Sequence, residues 1–269
     1  MNTIPNWERL SRQFYITDEP HPEAIYRQPF TELFTREGME KLLQYYAPLL
    51  KAEDLQPAAT FLCSWLTGIP LAVQYHLSVE QQALMLDPKQ MTLELYMSGP
   101  YCQFAFHVNH LDIEQLPAPV VVDQRQDSRD RHLDAVYSDI LRPMMEQMTE
   151  ICGDHARMYW RQMPARFHYY TNQWKNGIED EQVVQMIDRD LHYVMSEMPA
   201  EIFGLSRNPL HVPPRHTINI DGTGETILRS ACCLFHRMED GEYCFNCPQI
   251  SEALREERRL AYQSREGKV

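Results

Sequence analysis

Ten glycines occur in the 269-residue chain. None falls in a GxGxxG, Walker or flavin-type pattern, so a nicotinamide or flavin held by this chain is not supported. Positive charge is also scarce: 25 Lys and Arg stand against 38 Asp and Glu, a net charge of −13. Such a surface repels phosphate backbones, and no nucleic acid is expected as a partner. The start, Met1 to Trp7, lacks a basic region followed by an apolar stretch and a small-residue cleavage site, so the expected location is the cytoplasm. No internal repeat, Gly/Ser linker or low-complexity run divides the chain. Its length and 43% hydrophobic content give a core that needs no metal or disulfide staple to fold. A metal site in such a chain is expected to be functional as well as structural.

What is present reads as helix before it reads as sheet. Residues 1–34 are Pro-rich and irregular. Met39, Leu42, Leu43, Tyr46, Leu49 and Leu50 then recur at helical spacing, and Asp54 offers a cap for the next element. From Leu55 to Val79 no residue carries a formal charge, but Gln56, Thr60, Ser64, Thr67, Gln74 and His76 interrupt the run and Gly68 and Pro70 break it. Two buried helices meeting at Gly68-Ile69-Pro70 are favoured over a membrane span. Peripheral contact with the inner membrane stays open.

Met91–Met97 and Cys102–Val108 have the pattern of a hairpin turning at Ser98-Gly99-Pro100-Tyr101, and Val120–Val122 suggests an edge strand. Leu133, Val136, Tyr137, Ile140, Leu141, Met144, Met145 and Met148 mark a long amphipathic helix over about 130–152, whose methionines read as core. Further helices are expected over about 155–174 and 180–195, stopped by Asn176-Gly177. Thr217–Ile220 and Glu225–Cys232 read as strands around Asp221-Gly222-Thr223-Gly224. The tail from Ile250 is helical in flavour, with its charges expected to face solvent.

Seven cysteines are present. Cys63, Cys102 and Cys152 are scattered through apolar segments and read as buried small residues. Cys232-Cys233 and Cys244-Phe245-Asn246-Cys247 bring four thiols from two short segments, with Gly241 in the turn between them. The second pair suits a zinc knuckle. The first does not, because adjacent side chains diverge along an extended chain. Divergence suits a centre with two metals and two attachment points, so the spacing leans toward an iron–sulfur cluster while leaving zinc open.

The run CCLFHRMEDGEYCFNC resembles the C-terminal signature of the FhuF-type siderophore-iron reductases: a Cys-Cys pair, ten residues, then Cys-x-x-Cys. Arg229, three residues before the pair, and Asn208-Pro209-Leu210 ahead of a strand hairpin are also similar to that family. His211 stands where the family usually has tryptophan. The resemblance implies a [2Fe-2S] cluster held by Cys232, Cys233, Cys244 and Cys247, with no catalytic residue beyond the cluster. It also implies one-electron reduction, in the cytoplasm, of ferric iron in a siderophore, most typically a hydroxamate. With no redox cofactor site of its own beyond the cluster, such a chain needs an external electron donor, a ferredoxin or a flavin reductase. Arg229 and Arg237 neighbour the ligands in sequence, where positive charge would raise the cluster potential, and His236 lies where protonation could couple to electron uptake.

The expected fold is α+β: a mainly helical body with small antiparallel hairpins and a cysteine-rich C-terminal segment. The body, 1–207 with a hairpin at about 91–108, is expected to bind the chelate. Residues 208–269 carry a second hairpin, the cluster segment and the charged tail, within the same domain. Two rival functions remain: a non-catalytic protein organised by zinc, and a siderophore-binding module that does not reduce.

Overall fold

The computed structural model describes residues 5–116 and 122–266. The Pro-rich start is more ordered than its composition suggests. Asn6 accepts a hydrogen bond from the Arg9 amide and caps α1 (Trp7–Phe14), which buries Leu10 and Phe14. Two strands follow, β1 (Ile16–Thr17) and β2 (Ala24–Pro29), and then the short 3₁₀ turn Phe30–Phe34. The expectation of an irregular 1–34 is therefore corrected. Prolines here punctuate short elements instead of preventing them.

Helix α2 (Arg36–Leu49) starts on a Thr35 cap, and α3 (Leu55–Leu66) starts on the expected Asp54 cap. Helix α4 (Gly68–Tyr75) continues after a break at Thr67. Gly68 is required there by close approach: a Cβ would lie 2.5 Å from the Phe14 carbonyl oxygen at the end of α1. The uncharged stretch is thus two buried helices, as expected, and no helix among the described residues is long and apolar enough to cross a membrane. Most of its polar groups find partners, the buried Gln74 amide excepted. Thr60 and Thr67 donate to carbonyls one turn back, and Ser78 donates to the buried Asp190 carboxylate at 2.7 Å.

Strands β3 (Gln82–Met85), β4 (Met91–Ser98), β5 (Tyr101–Val108) and β6 (Asp112–Gln115) come next. The expected hairpin β4–β5 is the centre of a four-stranded sheet ordered β1-β5-β4-β2, in which only β1 runs parallel to its neighbour. β3 and β6 form a separate antiparallel pair. Of the suggested edge strand, Val120 and Val121 lie outside the described residues, and Val122 begins α5 (Val122–Ala135). That helix runs through a widened π turn, Val136–Leu141, into α6 (Arg142–Cys152), with Met144, Met145 and Met148 in the core as expected.

The segment expected as one helix over 155–174 is two, α7 (Ala156–Trp160) and α8 (Pro164–Asn176), because Pro164 can only open a helix. Helix α9 (Glu181–His192) follows and ends in a second π turn, Tyr193–Glu197. Asn208 then donates to the Val194 and Met198 carbonyls and accepts from the Leu210 amide, so the Asn-Pro-Leu segment pins the chain to the end of α9. β7 (His216–Ile218) and β8 (Glu225–Ile227) form the last hairpin, and α10 (Glu252–Glu266) closes the chain. β8 stops five residues short of the expected Cys232, because beyond Ile227 the chain leaves its partner strand to form the cysteine loop.

The core joins the helices to one face of the sheet through Phe14, Phe30, Tyr46, Phe104, Phe106 and Trp160. Beside it lies a buried charge cluster. Asp190, fully buried, receives Arg125 at 3.1 Å and Arg129 at 3.3 Å.

Candidate metal centre

The loop that gathers the cysteines is shaped mainly by backbone. After β8 the Leu228 amide donates to the Arg215 carbonyl at 2.8 Å, and the Arg229 amide donates to the Asn246 carbonyl at 3.0 Å. The second bond crosses from the flank of the first cysteine pair into the middle of the other. Leu234 reverses the chain in the left-handed region at φ 61° and opens the 3₁₀ turn Phe235–Arg237. Gly241 lies so close to the Phe235 carbonyl oxygen that a Cβ would approach it to 2.0 Å, so the connection between the pairs admits no side chain there. The Cys247 amide donates to the Cys244 carbonyl at 3.0 Å, which turns the last two cysteines back on themselves.

The four thiols meet in two pairs. Cys232 Sγ lies 3.6 Å from Cys247 Sγ, and Cys233 and Cys244 are near enough to shift each other's ionisation in opposite directions. Adjacent Cys232 and Cys233 thus point to different partners, as an extended dipeptide requires. Two thiolates at about 2.3 Å from a tetrahedral metal lie about 3.8 Å apart, so the measured separation matches two ligands of one metal. Among the described residues, no set of three or more His, Cys, Asp or Glu side chains closes around one ion position. Two pairs instead suit a centre of two metals.

Local donors favour sulfur as thiolate. The Leu234 amide points at Cys232 Sγ and the Gln249 amide at Cys247 Sγ, each at 3.5 Å, and the Phe235 backbone also favours the Cys233 thiolate. The Cys244 thiol, helped by the Arg229 guanidinium, holds the Cys233 pKa down to about 6 against the opposing effect of burial. Cys244, as the proton holder of that pair, is displaced strongly upward. Burial pushes Cys232 up to about 11. The three scattered cysteines lie elsewhere. Cys63 is fully buried against the Met145 and Met148 sulfurs, and burial drives its pKa well up.

The three charged neighbours separate. Arg229 is brought beside Cys233 and Cys244. His236 Nδ1 lies 3.9 Å from Cys232 Sγ, its ring stacked on Tyr243 at 4.1 Å. Arg237 turns the other way. It pairs with Glu53 and Asp54 and bonds to Gln56 at the start of α3, stapling the loop to the body.

Other contacts to the loop left no motif in the sequence. Gln162, between α7 and α8, donates from Nε2 to the Cys232 carbonyl at 3.0 Å. Arg255 on α10 is only 3% exposed and donates to the Phe245 and Cys247 carbonyls. One turn on, buried Arg259 donates to the Asn219 carbonyl at the tip of the β7–β8 hairpin. The expectation of a solvated tail is corrected accordingly: one face of α10 is a guanidinium clamp over the cysteine loop and the hairpin. The i, i+4 spacing of Arg255 and Arg259 was the signal for it. His211, in place of the family's usual tryptophan, meets the Met195 carbonyl at 3.2 Å.

No curated protein matches the chain. Residues 229–249 match the family model of the FhuF 2Fe-2S C-terminal domain, a span that holds all four paired cysteines, Arg229 and the Gly241 turn. This C-terminal segment is thus similar to the FhuF-type 2Fe-2S domain, a match that implies a [2Fe-2S] cluster as its cofactor.

Proposed function

We infer that the chain is a cytoplasmic ferric-siderophore reductase in which Cys232, Cys233, Cys244 and Cys247 hold the [2Fe-2S] cluster. The observation that carries this reading is the pairing of the thiols, Cys232 with Cys247 at 3.6 Å and Cys233 with Cys244, inside the segment matched to the 2Fe-2S family. When bound, such a cluster supplies a one-electron couple, the stoichiometry that Fe(III) to Fe(II) requires. An external donor, a ferredoxin or a flavin reductase, provides that electron. Hydroxamate oxygens are hard ligands that hold ferric iron far better than ferrous iron, so reduction is enough to loosen the chelate, and the freed oxygens take protons from water.

The protein's own residues bind and position. The amides of Leu234, Phe235 and Gln249 stabilise negative sulfur, and Arg229 adds positive charge on the same side. Gln162 and Arg255 fix the carbonyls of Cys232 and Cys247, and so the distances between the pairs.

Iron and acid-labile sulfide are measured on anaerobically purified protein, together with absorbance and EPR spectra. Two irons and two sulfides per chain are expected. A colourless protein with stoichiometric zinc would overturn the cluster assignment. Dithionite-reduced, desalted protein is then mixed with a ferric hydroxamate and a ferrous trap. Release of ferrous iron above a Cys244→Ser control is expected, and its absence would leave binding without reduction.

A further inference from the structure

Beside the cysteine loop lies a cleft of about 310 Å³ between α8 and the start of that loop, lined by Gln162, Arg166, Tyr169, Tyr170, Arg229 and Asn246 among others. It adjoins the cluster ligands directly. Gln162 holds the Cys232 carbonyl, and Asn246 stands between Cys244 and Cys247. No Asp or Glu lines it. Among the described residues neither Arg166 nor Arg229 is paired with a carboxylate, although the chain carries 38 of them. The imbalance is regional. From Arg229 to Val269 there are seven basic and seven acidic residues, so the whole charge of −13 resides in residues 1–228.

The cleft also holds polar groups without partners. Arg166 Nε and Arg229 Nε are buried and unbonded, as is Oε1 of Gln162, a residue only 4% exposed. Buried donors and acceptors normally find partners, and three residues with unpartnered polar atoms line this one cleft. The guanidinium of Arg166 is held in place by the Tyr15 hydroxyl at 3.2 Å and lies 5.9 Å from the centre of the Tyr170 ring. Tyr169, 54% exposed, forms the rim.

Resting on the reductase reading, we propose that this cleft receives an anionic arm of the chelate, so that the preferred substrate is a ferric hydroxamate bearing a free carboxylate. Three hydroxamates, each having lost one proton, neutralise Fe(III). Such a complex becomes anionic only through a further acidic group. A carboxylate is the planar acceptor that arginine guanidinium groups recognise, and Arg166 and Arg229 both line the cleft. The volume suits one arm and leaves the metal at the mouth, next to the cluster loop. Arg229 then faces two anions at once, the thiolates and the ligand, and screens one from the other.

Ga(III) complexes separate binding from electron transfer, because Ga(III) is not reduced. Cluster-loaded protein is titrated calorimetrically with three: a linear trihydroxamate with a pendant ammonium, a neutral cyclic trihydroxamate, and a linear trihydroxamate with a pendant free carboxylate, whose complex is negative. The anionic complex is expected to bind at least tenfold more tightly than the other two at 0.05 M salt, with the advantage shrinking at 0.5 M (~10-fold more ions, a Debye length several-fold shorter). Arg166→Gln is expected to remove the advantage with the visible spectrum of the cluster unchanged, and Arg166→Lys to keep part of it. Equal binding of the three complexes by the unmodified protein, or an advantage insensitive to salt, overturns the proposal without any variant having to fold. If ferrous release from the matching Fe(III) chelates proceeds while the Ga(III) complexes show no preference, this inference fails and the reductase reading stands. If the anionic Ga(III) complex is preferred but no chelate yields ferrous iron, the binding inference stands and the reductase reading fails.

Discussion

Replacing Arg255 with alanine tests whether the tail helix holds the cysteine loop. The side chain is 3% exposed and donates to the carbonyls of Phe245 and Cys247, within and at the end of the second cysteine pair. Hydrogen bonds from a charged donor contribute about 1.5–3 kcal/mol each, and removal leaves two acceptors without that donor. Allowing water to recover part of this, the loop loses about 3 kcal/mol of local stability. At 1.4 kcal/mol per decade its opening becomes about 100-fold more frequent. Amide exchange at Arg229 and Cys247, whose N–H groups close the loop, reads that opening directly in iron-free protein. Loss of the visible absorbance in the presence of an iron chelator reads it in loaded protein. Arg255→Lys should fall between, since one ammonium cannot span both carbonyls. Exchange and iron loss in Arg255→Ala within threefold of the unmodified protein, at an unchanged melting temperature, would refute the clamp.

Three further outcomes are expected. Gly241→Ala forces a Cβ against the Phe235 carbonyl oxygen at 2.0 Å, so the turn between the pairs must open and bound iron should fall well below two per chain by elemental analysis. Asp190→Asn leaves Arg125 buried without a carboxylate and Arg129 with Asp130 alone, and should cost about 3 kcal/mol, read from urea midpoints; a cost under 1 kcal/mol would mean the cluster is solvated. In iron-free protein Cys233 ionises near pH 6, below its ordinary value of 9.0, so its contribution to stability is complete above 9.0 and is lost as pH falls through about 6. Cys244 is displaced upward and acts oppositely, losing its contribution as pH climbs above 9.0. The urea midpoint should therefore rise from pH 6 to 9 and fall beyond, and a Cys233→Ser, Cys244→Ser variant should flatten that curve.

The elements that periodicity could reach were the long ones. Asp54, Gly68 and Gly177 mark real helix limits because a cap, a close contact and a helix stop each impose a local chemical demand. Short elements escaped. Helix α1 and strands β1 and β2 depend on the sheet they complete, and β1 joins it through Ile16 and Thr17 opposite Phe106 and His107, a pairing ninety residues distant that no local pattern encodes. The same holds at the metal centre. The cysteines are recognisable from their spacing, whereas Gln162 acts through a single bond to a main-chain oxygen, which selects for position and reach and leaves no motif. Arg237 shows the reverse error of proximity in sequence: it is four residues beyond Cys233 and spends its charge on Glu53 and Asp54.

The guanidinium clamp also imposes an order in time. All four cysteines precede α10 in the chain, so during synthesis they emerge before the helix whose Arg255 will hold the Phe245 and Cys247 carbonyls. A nascent or truncated chain ending near Ile250 would display all four cysteines yet lack the contact that fixes the last of them. Cluster insertion into this protein is thereby biased toward the finished polypeptide, and a prematurely terminated one would surrender its iron.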